Sequence, residues 1–397
     1  TARDVINPQW NNTKVASGAT KVNVYLGNNG KINFTLNTTP TTLATADFGL
    51  TKVLDGRNWA DADKFEFGLT SENNAPMPRS ATAIATKGHA DISFGEIAYD
   101  KPGTYVYKVS EKHAGTTVDG IAYSKNVAEF TVTVKPNEKG ELVASVKKTS
   151  GESEFKNTYT AEPTESSVTD QIEVTKVLTG RALKAGEFSF ELLEGTGEDA
   201  SVIETVKNDA DGKVAFSTIK YTEIGQHTYT LREVNGGTTN NGIAYDGKTY
   251  TVVTTIADNG KGQLVATHKL KGAEDVKKIE FKNSYTVTPK DFSVTDQVKA
   301  TKSLTGRKLA AGEFSFELVE GDNIVATGKN AADGTITMKA ITYTEAGTHT
   351  YTLREVSGDA DNGITYSTAV YTVVTTITDN GKGKLEAKHE LQGAKAA

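Results

Sequence analysis

Three stretches of this chain repeat one another, and that constrains its fold more than any bulk property. Ser167 to Leu192 recurs from Ser293 to Leu318, Tyr221 to Val234 from Tyr343 to Val356, and Asn241 to Leu264 from Asn362 to Leu385. A diverged copy precedes both, recognisable at Leu50, Lys101 and Asp119. Lys52, Lys176 and Lys302 mark equivalent points, at periods of 124 and 126 residues. Solenoid repeats are far shorter, so this period means tandem whole domains, each able to bury its own core. Proline-containing linkers fall at 161–167 and 288–292. The expected domains are therefore 42–160, 166–287 and 293–397, preceded by an extension over 1–41.

Inside each unit the apolar runs are short and alternating, as in Tyr250 to Ile256, and end in turns such as Asp258 to Gly262. That pattern predicts an all-β fold, a series of immunoglobulin-like β-sandwiches. In the extension, Val22, Val24 and Leu26 face Ile32, Phe34 and Leu36 across Gly27 to Gly30, which predicts an added hairpin. The chain has no cysteine, which removes disulfides and thiolate metal sites. A net charge of −6 gives no basic surface for nucleic acid, and no apolar run is long enough to insert in a membrane. Thr1 is not an initiator, so a processed or trimmed form without signal peptide or wall anchor is expected.

Strand alternation assigns faces. Ile172, Val174, Lys176 and Leu178 share one face, as do Phe48, Leu50, Lys52 and Leu54, and Val298, Ala300, Lys302 and Leu304. A lysine thus points into the apolar face of every copy. The Tyr-rich strand aims Glu111, Glu233 and Glu355 the same way, and the closing strand aims Asn157 and Asn283. Lysine and glutamate are almost never fully buried unless paired. One reading is a buried ion pair capped by an asparagine hydrogen bond, which adds little net stability. The other is a reaction. Burial favours neutral forms; a neutral amine is a nucleophile, and a protonated glutamate could polarise the carboxamide and shuttle protons to leaving ammonia. The product would be a single-turnover Lys–Asn amide. Periodicity alone leaves both readings open.

Four motifs run in order through the units. They are Thr-Lys-x-Leu-x-Gly-Arg from Thr51, Thr175 and Thr301; the Tyr-x-Leu/Val-x-Glu strand ending at Glu111, Glu233 and Glu355; Gly-Ile-x-Tyr from Gly120, Gly242 and Gly363; and Phe-Lys-Asn-Ser/Thr-Tyr from Phe155 and Phe281. Together they resemble the streptococcal pilin isopeptide-linkage repeat family, found in major pilin shafts and adhesin stalks. The resemblance implies Lys52–Asn157 and Lys176–Asn283 bonds, with Glu111 and Glu233 as catalytic proton shuttles. Glu355 and Lys302 are the third pair. The register of that copy places its asparagine beyond Ala397, so the partner of Lys302 lies past the chain end and the closing strand is missing. Trimming is the expected cause, with donation of residues 32–37 by a neighbouring chain as the alternative.

The resemblance further implies an extracellular, cell-wall-anchored protein of a Gram-positive bacterium. It would be a fibre shaft or stalk whose partners are neighbouring domains or subunits. Covalent closure of loops just over 100 residues long would add on the order of 5 kcal/mol each, by analogy with a disulfide. A second function class is an adhesin that binds a host protein or glycan, with its surface in the diverged first unit around Trp59 and residues 71–79, or near Trp10. His227, His349, His268 and His389 recur in two copies without ligand spacing and read as strand-surface residues; no metal and no cofactor is expected. No nucleophile elbow, phosphate loop or recurring carboxylate pair points to an enzyme.

Overall fold

In the computed structural model, residues 42–393 are described, and the predicted hairpin over 22–36 and Trp10 lie outside them. Alternating apolar residues build two facing sheets in the first repeat. One orders Asp91–Tyr99, Thr42–Asp55, Glu154–Tyr159, Ile121–Ala122 and Thr117–Val118. The other orders Thr82–Thr86, Lys64–Ser71, Gly103–Glu111, Val127–Pro136 and Leu142–Ser150. Phe65, Phe67, Tyr107, Phe130 and Phe155 fill the space between. The second repeat has the same pair of five-stranded sheets. This is the immunoglobulin-like, all-β sandwich expected from the alternation.

The topology has one unusual connection. The first strand of each sandwich lies parallel to the last, so Lys52 stands opposite Phe155 and Leu54 opposite Asn157. In the second repeat Lys176 stands opposite Phe281 and Leu178 opposite Asn283. Because side chains alternate, lysine and asparagine project from adjacent strands onto the same inner face, two residues out of step. Antiparallel hairpins could not join these strands; the whole sandwich is their crossover.

The third repeat departs from this plan. Its main sheet is six-stranded, from Ile336–Met338 through Asn323–Asn330, Ser315–Glu320, Gly347–Glu355 and Val370–Asp379 to Leu385–Leu391, and a small two-stranded one pairs Lys290–Phe292 with Ile341–Tyr343. Residues 298–305 form no strand and keep only an isolated bridge, Thr301 to Thr335. Elsewhere the equivalent residues sit between two partners, and here the parallel one is absent among the described residues.

By compactness the chain divides into two units. Among the described residues the first comprises 42–164 with 221–224 and 256–265, so it includes the Asp258–Gly262 turn of the second repeat. The second comprises 165–220, 225–255 and 266–393. In the first unit Trp59 packs edge-on against Phe65 at 5.0 Å, and Tyr107 Oη donates to Pro76 O at 2.6 Å. These contacts tie both the tryptophan and the 71–79 stretch to the core.

Phe281 is fully buried, opposite Lys176, and meets the ring of Tyr250 edge-on at 5.4 Å. Phe281→Ala should therefore lower the stability of the second sandwich by about 3–5 kcal/mol, measured by denaturant unfolding.

Candidate functional site

Glu111 comes from the sheet facing Lys52 and Asn157, and the three meet in the core with side chains out of water. Lys52 Nζ lies 3.4 Å from Glu111 and donates to Phe155 O at 2.8 Å. Asn157 Nδ2 donates to Glu111 Oε1 at 2.8 Å. In the second repeat Lys176 Nζ is 2.8 Å from Glu233 Oε1, and Asn283 Nδ2 donates to the same oxygen at 2.8 Å. In both repeats the lysine amine lies within 3.4 Å of both carboxylate oxygens and donates to Oε2, while the asparagine amide donates to Oε1. A phenylalanine ring lines each pocket, Phe65 at 4.9 Å from Lys52 Nζ and Phe188 at 4.6 Å from Lys176 Nζ.

The carboxamide oxygen is held separately. Ser124 N donates to Asn157 Oδ1 at 2.8 Å, and Asp246 N to Asn283 Oδ1 at 2.7 Å. A backbone N–H, not the glutamate expected from the sequence, meets this carbonyl, and the glutamate faces the nitrogen side. Such a donor is placed to stabilise charge developing on the oxygen during attack at Cγ. A backbone donor has no side-chain signature, but it follows the Gly-Ile-x-Tyr motif by one residue in both repeats.

Burial dominates the electrostatics. It lowers Lys52 from 10.5 to about 8 against the opposing pull of Glu111, and it lowers Lys176 in the same way against Glu233. Burial raises Glu111 and Glu233 against the opposing charge of their lysines. Both partners move toward their neutral forms, a nucleophilic amine beside a carboxylic acid.

The third repeat brings together only two members. Lys302 Nζ is 2.5 Å from Glu355 Oε1, but its side chain is 11% exposed, where Lys52 and Lys176 are at 0%. No asparagine hydrogen-bonds Glu355 among the described residues, and its Oε1 meets only the lysine. Ser367 N, which occupies the place of Ser124 and Asp246, donates to Glu355 Oε2 at 2.8 Å instead.

Two histidines differ from the sequence reading. His268 and His389 are buried, not on a strand surface, because each follows the inward alternation of its strand. Hydroxyl groups satisfy His268: Thr254 Oγ1 is 2.7 Å from Nδ1 and Ser166 Oγ 2.7 Å from Nε2. Phe292 stands where Ser166 does, and His389 Nε2 has no hydrogen-bond partner among the described residues. Among the described residues no helix is long and apolar enough to cross a membrane.

The model of the FctA family, a Spy0128-like isopeptide-containing domain, matches residues 48–160, 172–286 and 298–397. No curated protein matches the chain. Among solved structures it is similar to the major pilin from Streptococcus pyogenes, at 16% identity and TM-score 0.23 over 63% of this chain and 99% of that one. It is also similar to the Bacillus anthracis TIE protein, at 12% identity and TM-score 0.20 over 85% of this chain and 56% of that one. A C-terminal fragment of the pilus adhesin SpaC from Lactobacillus rhamnosus GG matches at 16% identity and TM-score 0.20, over 60% and 97%.

Asn157→Ala removes the carboxamide and leaves Lys52 as a free buried amine. Folded Lys52 then releases its proton near pH 8 and the unfolded chain near 10.5. Between those values the unfolded chain binds more protons, so stability should rise with pH across the window and be lost as pH falls toward 8. Denaturant midpoints of this variant at pH 8 and pH 10.5 measure the effect.

Proposed function

Because the chain belongs to the FctA family of Spy0128-like isopeptide-containing domains, we propose that it is a structural shaft or stalk of a Gram-positive surface fibre. Three sandwich domains, 42–160, 166–287 and 293–397, make up the repeated part, and Lys52–Asn157 and Lys176–Asn283 amide bonds close the first two. The observation that carries this reading is the double occurrence of one arrangement. A buried glutamate carboxylate holds the lysine amine and the asparagine amide nitrogen while a backbone N–H holds the asparagine carbonyl.

The chemistry balances without a cofactor. Neutral Nζ attacks Cγ, the Nζ–Cγ bond forms, and charge builds on Oδ1 against the backbone N–H. The glutamate takes the proton from Nζ and delivers one to Nδ2. The Cγ–Nδ2 bond breaks and ammonia leaves. The site is consumed by its own product, so each glutamate acts once and the protein is a structural element, not a turnover enzyme.

Bonding the first strand to the last carries a pull from one end of the sandwich to the other through covalent bonds. No thiol pool reverses such a link. The partners on this reading are neighbouring domains and subunits of the same fibre, outside the cell and anchored to its wall.

Intact mass spectrometry tests the proposal. The folded chain should weigh less than its sequence by two ammonia molecules, since Lys302 meets no carboxamide among the described residues. Glu233→Ala should restore one of them and leave the first domain bonded. An unshifted parent mass would return both triads to buried ion pairs.

A further inference from the structure

Outside the two triads, the polar arrangement that recurs most closely lies where a closing strand leaves its sandwich. Tyr285, two residues past Asn283, donates its hydroxyl to Asp379 Oδ1 at 2.7 Å and accepts from Gly383 N at 2.9 Å. The Arg181 guanidinium, itself held by Glu187, lies over the tyrosine ring at 4.8 Å. Thr288 N donates to Gly383 O at 2.9 Å, and Thr286 N to Gly242 O at 2.9 Å. The two glycines meet so closely that a Cβ on Gly383 would stand 2.6 Å from the Cα of Gly242.

Every part of this recurs at the preceding boundary, inside the first compact unit. Tyr159 donates to Asp258 Oδ1 at 2.6 Å and accepts from Gly262 N at 3.0 Å, under Arg57 at 4.8 Å. A Cβ on Gly262 would stand 2.4 Å from Gly120 Cα. Both acceptor turns read Asp-Asn-Gly-Lys-Gly, from Asp258 and Asp379. The first repeat differs at the corresponding turn, where Pro136 occupies the aspartate position and Gly140 has no atom within 4 Å of a built Cβ.

We propose that the Arg–Tyr end of one repeat and the Asp-Asn-Gly-Lys-Gly turn of the next form a directional recognition surface. The partner that fits is a further repeat carrying that turn. Two features enforce the choice. The carboxylate is needed to accept the partly buried tyrosine hydroxyl, and the last glycine is needed because any side chain would strike backbone. Hence the second and third repeats can follow another repeat through this joint, and the first, with Pro136, cannot. Arg57 lies five residues past Lys52 and Tyr159 two past Asn157, so the tyrosine of the joint sits on the asparagine strand and the arginine just past the end of the lysine strand.

The joint does not depend on bond formation, and its test is separable from that of the amide. In the full chain, Tyr285→Phe keeps the ring over Arg181 and removes both hydroxyl hydrogen bonds. Trypsin cleavage after Lys290, at the start of the short Lys290–Phe292 strand beyond the joint, should then be about tenfold faster than in the parent, as expected for loss of a charge-assisted hydrogen bond. Gly383→Ala should act in the same direction. Tyr250→Phe, which alters a tyrosine away from the joint, should leave the rate unchanged, and the ammonia loss should be the same in all of them. Because the chain has no cysteine, spin labels at Val202→Cys and Ile324→Cys report the joint directly, and their distance distribution should widen in Tyr285→Phe. Cleavage and label distances that match the parent, or an equal acceleration in Tyr250→Phe, would overturn the proposal.

Discussion

A lysine ammonium placed inside a β-sandwich governs the rest of this structure. Moving a charge from water into an apolar core costs several kcal/mol, so the amine must be paired, neutralised or consumed. Here a carboxylate from the opposite sheet and a carbonyl oxygen from the adjacent strand receive it. Burial outweighs their attraction and moves both ionisable partners toward neutrality. The third repeat serves as an internal comparison. It keeps the lysine and the glutamate, yet without a closing strand the lysine is more exposed, its own segment forms no strand and the spare N–H turns to the glutamate. The pair alone does not order the site; the strand that brings the asparagine does.

Much of this was legible in the sequence because strand alternation is a strict geometric rule. Once Val174 and Leu178 are read as inward, Lys176 between them must point inward as well. The same rule places Glu233 with Tyr229 and Leu231, and Asn283 with Phe281 and Tyr285. The parallel pairing of first and last strands was not legible, since register between distant strands leaves no local pattern. Nor were the donors Ser124 and Asp246, whose contribution is a backbone N–H that any residue other than proline supplies. His268 and His389 were misjudged because histidine is usually half exposed. The hydroxyls of Thr254 and Thr375 that make burial tolerable lie on a neighbouring strand, fourteen residues away in sequence. Trp59 is partly buried and packs against Phe65 at the edge of the first core.

The site and the boundary between repeats share their framework. The strand that supplies the lysine continues to an arginine, and the strand that supplies the asparagine continues to a tyrosine stacked beneath it. The asparagine and the tyrosine are two residues apart on one strand, while a bend at Gly56 or Gly180 separates the lysine strand from its arginine. Tight glycine contacts at the boundary leave no side chain to act as a flexible spacer.

Parallel pairing of the first strand with the last also sets the order in which such a chain can mature. Contacts between residues more than 100 positions apart are the slowest to form, because a long loop must close before they contribute. As the polypeptide emerges N-terminus first, Lys52 and Glu111 are available well before Asn157, and the sandwich stays open along one edge until the final segment arrives. The third repeat shows the extent of this: where no closing strand is present among the described residues, Lys302 stays 11% exposed beside 0% for Lys52 and Lys176. The last strand thus completes a burial that the earlier strands have already begun.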